Sequence, residues 1–342
     1  MQTIYSEQIF SRFEKELEPC ADELGISRSI FQTPDVEFPI EDYYRLLECA
    51  ASTTDPHIGL SMGKTLRTSD LGAFGHAVMA APAVGYALRL VERYIYVMAH
   101  ANVVRLDVGK KIFVLGYKLT DSHLAIHQQD VELVLSLLAK IIRDISGREL
   151  NPTVVDFAHS RPNYHRELQA HFGCELRYDR GFNRLQYSAH VLEMPAQNPE
   201  PRLLQALEFY LADRLKLRSE DGDVLDKVNH LIATSLGGGV PEIGNVAVTL
   251  GLSRRTLQRR LSEAGAVFSD MVDAVRREIA QDYALNSDHS LTDISLMLGY
   301  QELSSFSRAF RRWTNASPQQ LRDKTDSPAE NRERPSTSVT PA

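Results

Sequence analysis

Two stretches near the end of the chain repeat one pattern: a short amphipathic helix, a glycine turn, and a second helix whose free face carries arginine. The first is IGNVAVTLGLSRRTLQRRL (Ile243 to Leu261) and the second is TDISLMLGYQELSSFSRAFRRW (Thr292 to Trp313), with Gly251 and Gly299 in register 48 residues apart. In the first copy Val246, Leu250, Leu257 and Leu261 fall on the faces that pack two helices together, and small Ala247 sits where they cross. Gly251 lets the backbone end one helix and Ser253 is placed to cap the next. In the second copy Ile294 and Leu298 pack the first helix, Gly299 turns the chain, and Phe306, Phe310 and Trp313 anchor the second helix. Each copy is predicted to be a helix-turn-helix.

With Leu257 and Leu261 turned inward, an advance of about 100° per residue puts Arg255, Gln258, Arg259 and Ser262 on the opposite side. Arginine can fork onto the guanine edge and glutamine onto adenine in the major groove, so these types suit base reading. Arg254 and Arg260 flank that face and suit phosphate. The second copy offers Ser304, Ser305 and Ser307 with Arg308 and Arg311, and short serines read bases less selectively. One such face alone reads as readily as the solvated side of a surface helix. Two, with the same turn, point to double-stranded DNA. The segment Phe268 to Asn286 between them is predicted as one helix of about 30 Å, close to the ~34 Å between successive major grooves.

A net charge of -7 argues at first against a nucleic-acid partner. The sum hides the distribution, because Ser253 to Glu263 holds four arginines and one acid, and Leu303 to Trp313 three arginines and no acid.

At 342 residues two domains are expected. Residues 1–218 read as mixed α and β. Helices are predicted over Gln8 to Glu18, Ile40 to Ala51, Val84 to Met98, Gln129 to Ile145 and Tyr164 to Phe172. A hairpin is predicted over Val103 to Val108 and Lys111 to Leu119, with further strands at Thr153 to Ala158 and Asn183 to Tyr187. The charged, glycine-containing stretch Lys216 to Asp223 suggests a linker, placed at 219–223. Residues 224–325 carry only helical periodicity, with seven helices, the last starting after Ser317-Pro318. Residues 326–342, rich in Pro, Ser and Thr, form an expected disordered tail. The fold class is thus α+β: a mixed α/β N-terminal domain followed by an all-α C-terminal domain with two helix-turn-helix units joined by a long helix.

No apolar run is long enough for a membrane span and the N-terminus lacks a secretory pattern, so a cytoplasmic protein without membrane contact is expected. Cys20, Cys49 and Cys174 are scattered and odd in number, which suits reduced thiols. His123 and His127 with Asp130 lack a third partner of metal-site spacing, and His159, His165 and His171, six apart, do not converge on a helix. Gly237-Gly238-Gly239 matches no phosphate loop, and no nucleophile motif is present, so neither an enzyme nor a cofactor is expected.

On VAVTLGLSRRTLQRRL from Val246 and ISLMLGYQELSSFSRAFRRWTNASPQQLR from Ile294, the C-terminal part resembles the DNA-binding domain of AraC/XylS-type bacterial transcription regulators. The resemblance implies base-contacting positions at Arg255, Gln258 and Arg259, and DNA-facing positions at Ser304, Ser305 and Arg308. Ser295 stands where that family usually has Ala, and Leu321 where an aromatic is common before Arg322. The stretches Ser69 to Tyr94 and His171 to Pro195 resemble the N-terminal, arabinose-binding-type effector domain of the branch that includes ornithine-utilisation regulators. What this implies is a small-molecule effector, a homodimer, promoter DNA as target, and activation of transcription beside RNA polymerase.

Overall fold

The computed structural model describes residues 3–5, 9–33, 36–99, 102–119, 127–221, 224–235, 241–250, 252–286, 290–300 and 302–321. Near the start, β1 (Thr3–Tyr5) pairs antiparallel with β2 (Glu37–Pro39), with α1 (Glu14–Leu24) and α2 (Ser29–Gln32) between them in sequence. The helix predicted from Gln8 is a 3-10 turn at Phe10–Phe13 that leads into α1. Next come α3 (Ile40–Thr53), α4 (Ile58–Thr65), α5 (Gly72–Met79) and α6 (Val84–Met98), then the hairpin of β3 (Asn102–Val108) and β4 (Ile112–Leu119). The long α7 (Gln128–Ser146) precedes β5 (Val154–Asp156), α8 (His165–Phe172), β6 (Glu175–Arg177) and β7 (Asn183–Ser188).

The sheet runs β3-β4-β7-β5-β6, antiparallel except for the β5–β6 pair, so it has no doubly wound topology. Along β4 the alternation of residues puts Phe113, Leu115 and Tyr117 on one buried face, and β7 adds Leu185 and Tyr187. α7 supplies Leu135, Leu138, Ile142 and Ile145 to the same core.

α4 and α5 carry no periodic signal because glycines replace apolar side chains where helices touch. A Cβ on Gly59 would lie 2.0 Å from the Gln129 carbonyl oxygen, and one on Gly63 would lie 2.3 Å from the Ser136 Cβ, both on α7. In α5 a Cβ on Gly75 would meet the Thr68 carbonyl oxygen at 1.8 Å. Absence of a side chain, not an apolar one, sets these contacts.

α9 (Pro201–Asp221) seats Leu204 and Leu211 in the core and packs on α5 and α6. It runs on through Lys216 to Asp221, so 219–221 of the expected linker are helical; Lys, Leu, Arg and Glu are good helix formers despite their linker-like charge. From α10 (Val224–Ser235) onward every described element is a helix: α11 (Ile243–Thr249), α12 (Arg254–Glu263), α13 (Phe268–Asn286), α14 (Leu291–Met297) and α15 (Leu303–Thr314). A further turn covers 318–321, where Ser317 and Gln320 cap each other reciprocally. Two compact units result, Met1–Thr234 with Glu242–Phe268, and Ser235–Pro241 with Ser269–Ala342, so this division falls inside the region 224–325. Gly251, Gly237 to Gly239, His123, Arg322 and the 326–342 tail lie outside the described residues.

Both repeats close their turns with the same hydrogen bonds. Leu252 N donates to Ala247 O at 2.8 Å in the first, and Tyr300 N to Ser295 O at 2.9 Å in the second. Val246, Ala247, Leu257 and Leu261 are buried in the first unit, as are Ile294, Ser295, Leu298, Phe306 and Phe310 in the second. Leu250 and Trp313, read as packing residues, are only half-buried, and Ala309 takes up core position instead. Gly299 has a φ of 75°, a left-handed turn that suits glycine. Arg276 of α13 donates to Leu298 O at 2.9 Å and lies over the Tyr300 ring, and Asp273 pairs with Arg312 at 2.6 Å. These contacts tie α14 and α15 to α13.

At the start of α7 two carboxylates are buried with no cation in contact among the described residues. Asp130 accepts hydrogen bonds from Tyr43 at 2.7 Å and from Tyr117, while Glu132 accepts from Gln128 and Tyr164, both at 3.1 Å. Burial pushes Asp130 up to about 6 and Glu132 up to about 8. His159 is kept neutral by burial; Nδ1 lies 2.9 Å from Ser160 O, which leaves Nε2 as an acceptor 3.6 Å from Glu132. A protonated Glu132 is the form that complements it. His127 stacks on Tyr44 at 4.1 Å, His165 hydrogen-bonds Tyr178 at 2.9 Å, and burial pushes His171 down to about 4. His159 and His165 do approach one ring, Tyr178, because His159 lies before α8 rather than on it. Cys20 is buried and unpaired with any disulfide partner, and burial pushes Cys49 up to about 12 and Cys174 up to about 11.

The raised Glu132 value has a sign. The folded chain holds this proton more tightly than the unfolded one, so its stabilisation is complete below the ordinary 4.5 and is lost as pH rises through about 8. Glu132→Gln removes the titration. Its urea stability by circular dichroism should match wild type near pH 5 and exceed it at pH 9 by on the order of a few kcal/mol; a difference independent of pH would contradict the assignment. The Ser295 Oγ is buried and has no hydrogen-bond partner among the described residues, so Ser295→Ala should stabilise the second repeat by about 1–2 kcal/mol. Trp313, the chain's single tryptophan, sits on α15 and reports that transition by fluorescence.

Candidate DNA-binding interface

α12 starts where Ser253 Oγ accepts from Thr256 N at 3.1 Å, so the cap fixes the rotation of the helix from its first turn. Leu257 and Leu261, four apart, then bury one stripe. Arg254, Arg255, Gln258, Arg259 and Arg260 are all exposed on what remains. Arg259 Nε lies 3.7 Å from Glu263 Oε1 with both side chains well exposed, a pair of the kind that contributes only about 0.3–0.5 kcal/mol. Such a contact yields readily to a base or a phosphate. Arg254, Arg255 and Arg260 make no ion pair among the described residues.

α15 presents a different face. Arg308 and Arg311 are exposed, while Arg312 is committed to Asp273. Ser304 is exposed and donates to Glu302 Oε2 at 3.0 Å; Ser305 is half-buried and accepts a 3.4 Å hydrogen bond from Arg308. The two serines are thus engaged in their own first turn, next to an acid. The predicted residues therefore gather as two clusters: five on or beside α12 with strong positive charge, and a sparser set on α15.

Sequence reasoning missed Arg276 and Asp273, which hold the second repeat through Leu298, Tyr300 and Arg312. Their only signal was charge on the predicted long helix, which is uninformative without the partner 22 residues away in the Arg276–Leu298 bond. Electrostatically the outward arginines form the kind of surface that attracts phosphate while offering fork-shaped donors to base edges.

Comparison with known proteins bears on both regions. Residues 16–196 match the family model described as the arabinose-binding domain of AraC transcription regulator, N-terminal, and residues 246–324 match a helix-turn-helix domain. The chain is 26% identical over 305 residues to the ornithine utilization regulator of Pseudomonas aeruginosa, covering 88% of this chain and 89% of that one. It is also 26% identical over 293 residues to the HTH-type transcriptional regulator VirS of Mycobacterium tuberculosis, covering 84% and 85%. A crystal structure of the transcriptional regulator CdpR from Pseudomonas aeruginosa aligns with 92% of this chain and 98% of that one, at 21% identity and a TM-score of 0.45. These relatives are transcription regulators, not enzymes. With a ligand-binding N-terminal domain and a helix-turn-helix C-terminal region, the chain belongs to the AraC family of DNA-binding transcription regulators.

Proposed function

We propose that the chain is a sequence-specific activator of transcription that binds promoter DNA as a homodimer under control of a small-molecule effector. Residues 1–218 hold the effector and 224–325 the DNA, with 219–223 as the connection and 326–342 as a tail. The observation that carries this reading is the outward face of α12, where four exposed arginines and Gln258 stand opposite a buried leucine stripe. Arg255, Gln258 and Arg259 read base edges, and Arg254 and Arg260 hold phosphate. On α15 Ser304, Ser305, Arg308 and Arg311 contribute positioning more than discrimination. Activation proceeds by contact with RNA polymerase in the cytoplasm. Among the described residues no helix is long and apolar enough to cross a membrane. One relative is named for ornithine utilisation, which makes amino-acid metabolites the first effectors to screen.

Footprinting across the genome, with and without growth on such nutrients, identifies the sites. At a site so defined, Arg259→Ala should lose about 1–3 kcal/mol of affinity and relax preference at one base pair, with little loss on random DNA. Arg254→Ala should weaken cognate and random DNA alike and lower the salt slope by about one. Equal loss on both DNAs for Arg259→Ala would show that it holds phosphate only, and protection of many unrelated sites would contradict the regulator reading.

A further inference from the structure

The two buried carboxylates at the start of α7 are not alike. Each oxygen of Asp130 takes a tyrosine hydroxyl, one from Tyr43 and one from Tyr117, so that group is closed. Glu132, 0% exposed, has only uncharged hydrogen-bond donors, the Gln128 amide and the Tyr164 hydroxyl. Facing its Oε1 at 3.6 Å is His159 Nε2, on a side chain 6% exposed, and that nitrogen has no hydrogen-bond partner among the described residues. His159 keeps Nε2 as an acceptor because its Nδ1–H donates to Ser160 O. At 3.6 Å the two atoms are out of hydrogen-bond reach of each other even when Glu132 carries a proton. A single N–H group about 2.9 Å from each would satisfy both.

The surroundings favour a donor with positive charge. Glu48 of α3 accepts from Gln129 N at 3.1 Å, and its charge bears on both Asp130 and Glu132. Three carboxyl groups thus meet at this end of α7 with no cation in contact among the described residues. Phe157 and Tyr178 flank the His159 ring at 4.8 and 5.8 Å, and aromatic faces attract an ammonium group within about 6 Å. Glu132 and His159 alone are too few ligands for a metal ion, and no group of three His, Cys, Asp or Glu among the described residues could hold one. Gln128 is half-buried, and Ser160 and Arg161, next along the chain from His159, are exposed, so the pair lies one layer beneath the surface.

We propose that Glu132 and His159 form the pole of the effector site that receives a protonated aliphatic amine. The proposal rests on the effector reading above and gives the ligand its chemical class. The ammonium donates to the Glu132 carboxylate and to His159 Nε2, while Tyr164 and Gln128 hold the carboxylate in place. A carboxylate in the same position would meet three acids, and a hydroxyl would bring a donor without the charge that offsets them.

Isothermal titration calorimetry on the full-length protein tests it with a panel of linear aliphatic monoamines, diamines and amino acids bearing a side-chain ammonium. Each is paired with counterparts in which that ammonium is a hydroxyl or a carboxylate. At least one amine should bind saturably, and at least about tenfold more tightly than either counterpart. Glu132→Gln, with folding checked by circular dichroism, should bring the amine and its hydroxyl counterpart to within about threefold of each other. His159→Phe, which keeps a ring but removes the acceptor, should weaken the amine about tenfold. An amine bound equally well by wild type and Glu132→Gln, or a panel in which no amine binds, overturns the proposal. A hydroxyl or carboxylate compound that alters the DNA footprint while no amine binds overturns only the ammonium site and leaves the effector reading standing. Amine binding with the expected selectivity but no effect of any compound on the footprint supports the site and overturns the effector reading.

Discussion

Two buried anchors four residues apart settle which side chains of a recognition helix meet solvent. In α12 they are Leu257 and Leu261, and in α15 Phe306 and Phe310. The turn ahead of each pair is closed by a backbone bond to the carbonyl of Ala247 or Ser295, buried residues small enough to let the helices cross. Once that crossing and those anchors are set, helical geometry leaves no freedom in assigning the outward face. Arg255, Gln258 and Arg259 face outward because Leu257 and Leu261 cannot.

The same logic makes the two repeats unequal. Aromatic anchors bury α15 more firmly, and Arg312 and Arg276 are used to hold the second repeat on α13. Cations spent on such contacts are not on the outward face. α12 keeps its arginines exposed, with one loose pair, Arg259 to Glu263, among the described residues. The serines of α15 are likewise turned to local hydrogen bonds at the helix start, a usual role for Ser in a first turn.

Legibility followed the periodic signal. Val84–Met98, Phe268–Asn286 and Leu303–Thr314 begin and end where the apolar spacing said, because each has an unbroken buried stripe. The hairpin of β3 and β4 was legible from alternation across a two-residue gap. α4 and α5 were not, since what matters at Gly59 and Gly75 is room for another segment's backbone, and at Gly63 room for the Ser136 side chain, a property of the partner rather than of the helix. β6 has only three residues and a parallel neighbour, so nothing local announces it. That the charged stretch Lys216 to Asp221 continues α9 was not legible, because charge-rich composition suits a helix and a loop alike. On α12 and α15 exposure was legible in the sequence, but the diversion of Ser304 and Ser305 into local hydrogen bonds was not.

A chain with a net charge of -7 approaches DNA against its own long-range field and must rely on short-range contacts from a few arginines. Salt screens the repulsion beyond about 8 Å but also weakens each phosphate contact, so one copy gains little from the positive face of α12 alone. Joining two copies changes the balance without any new contact to DNA, because the second pair of helices then binds at an effective concentration set by the linkage. The buried anchors of α12 and α15 hold the outward faces of those helices constant whatever supplies that linkage.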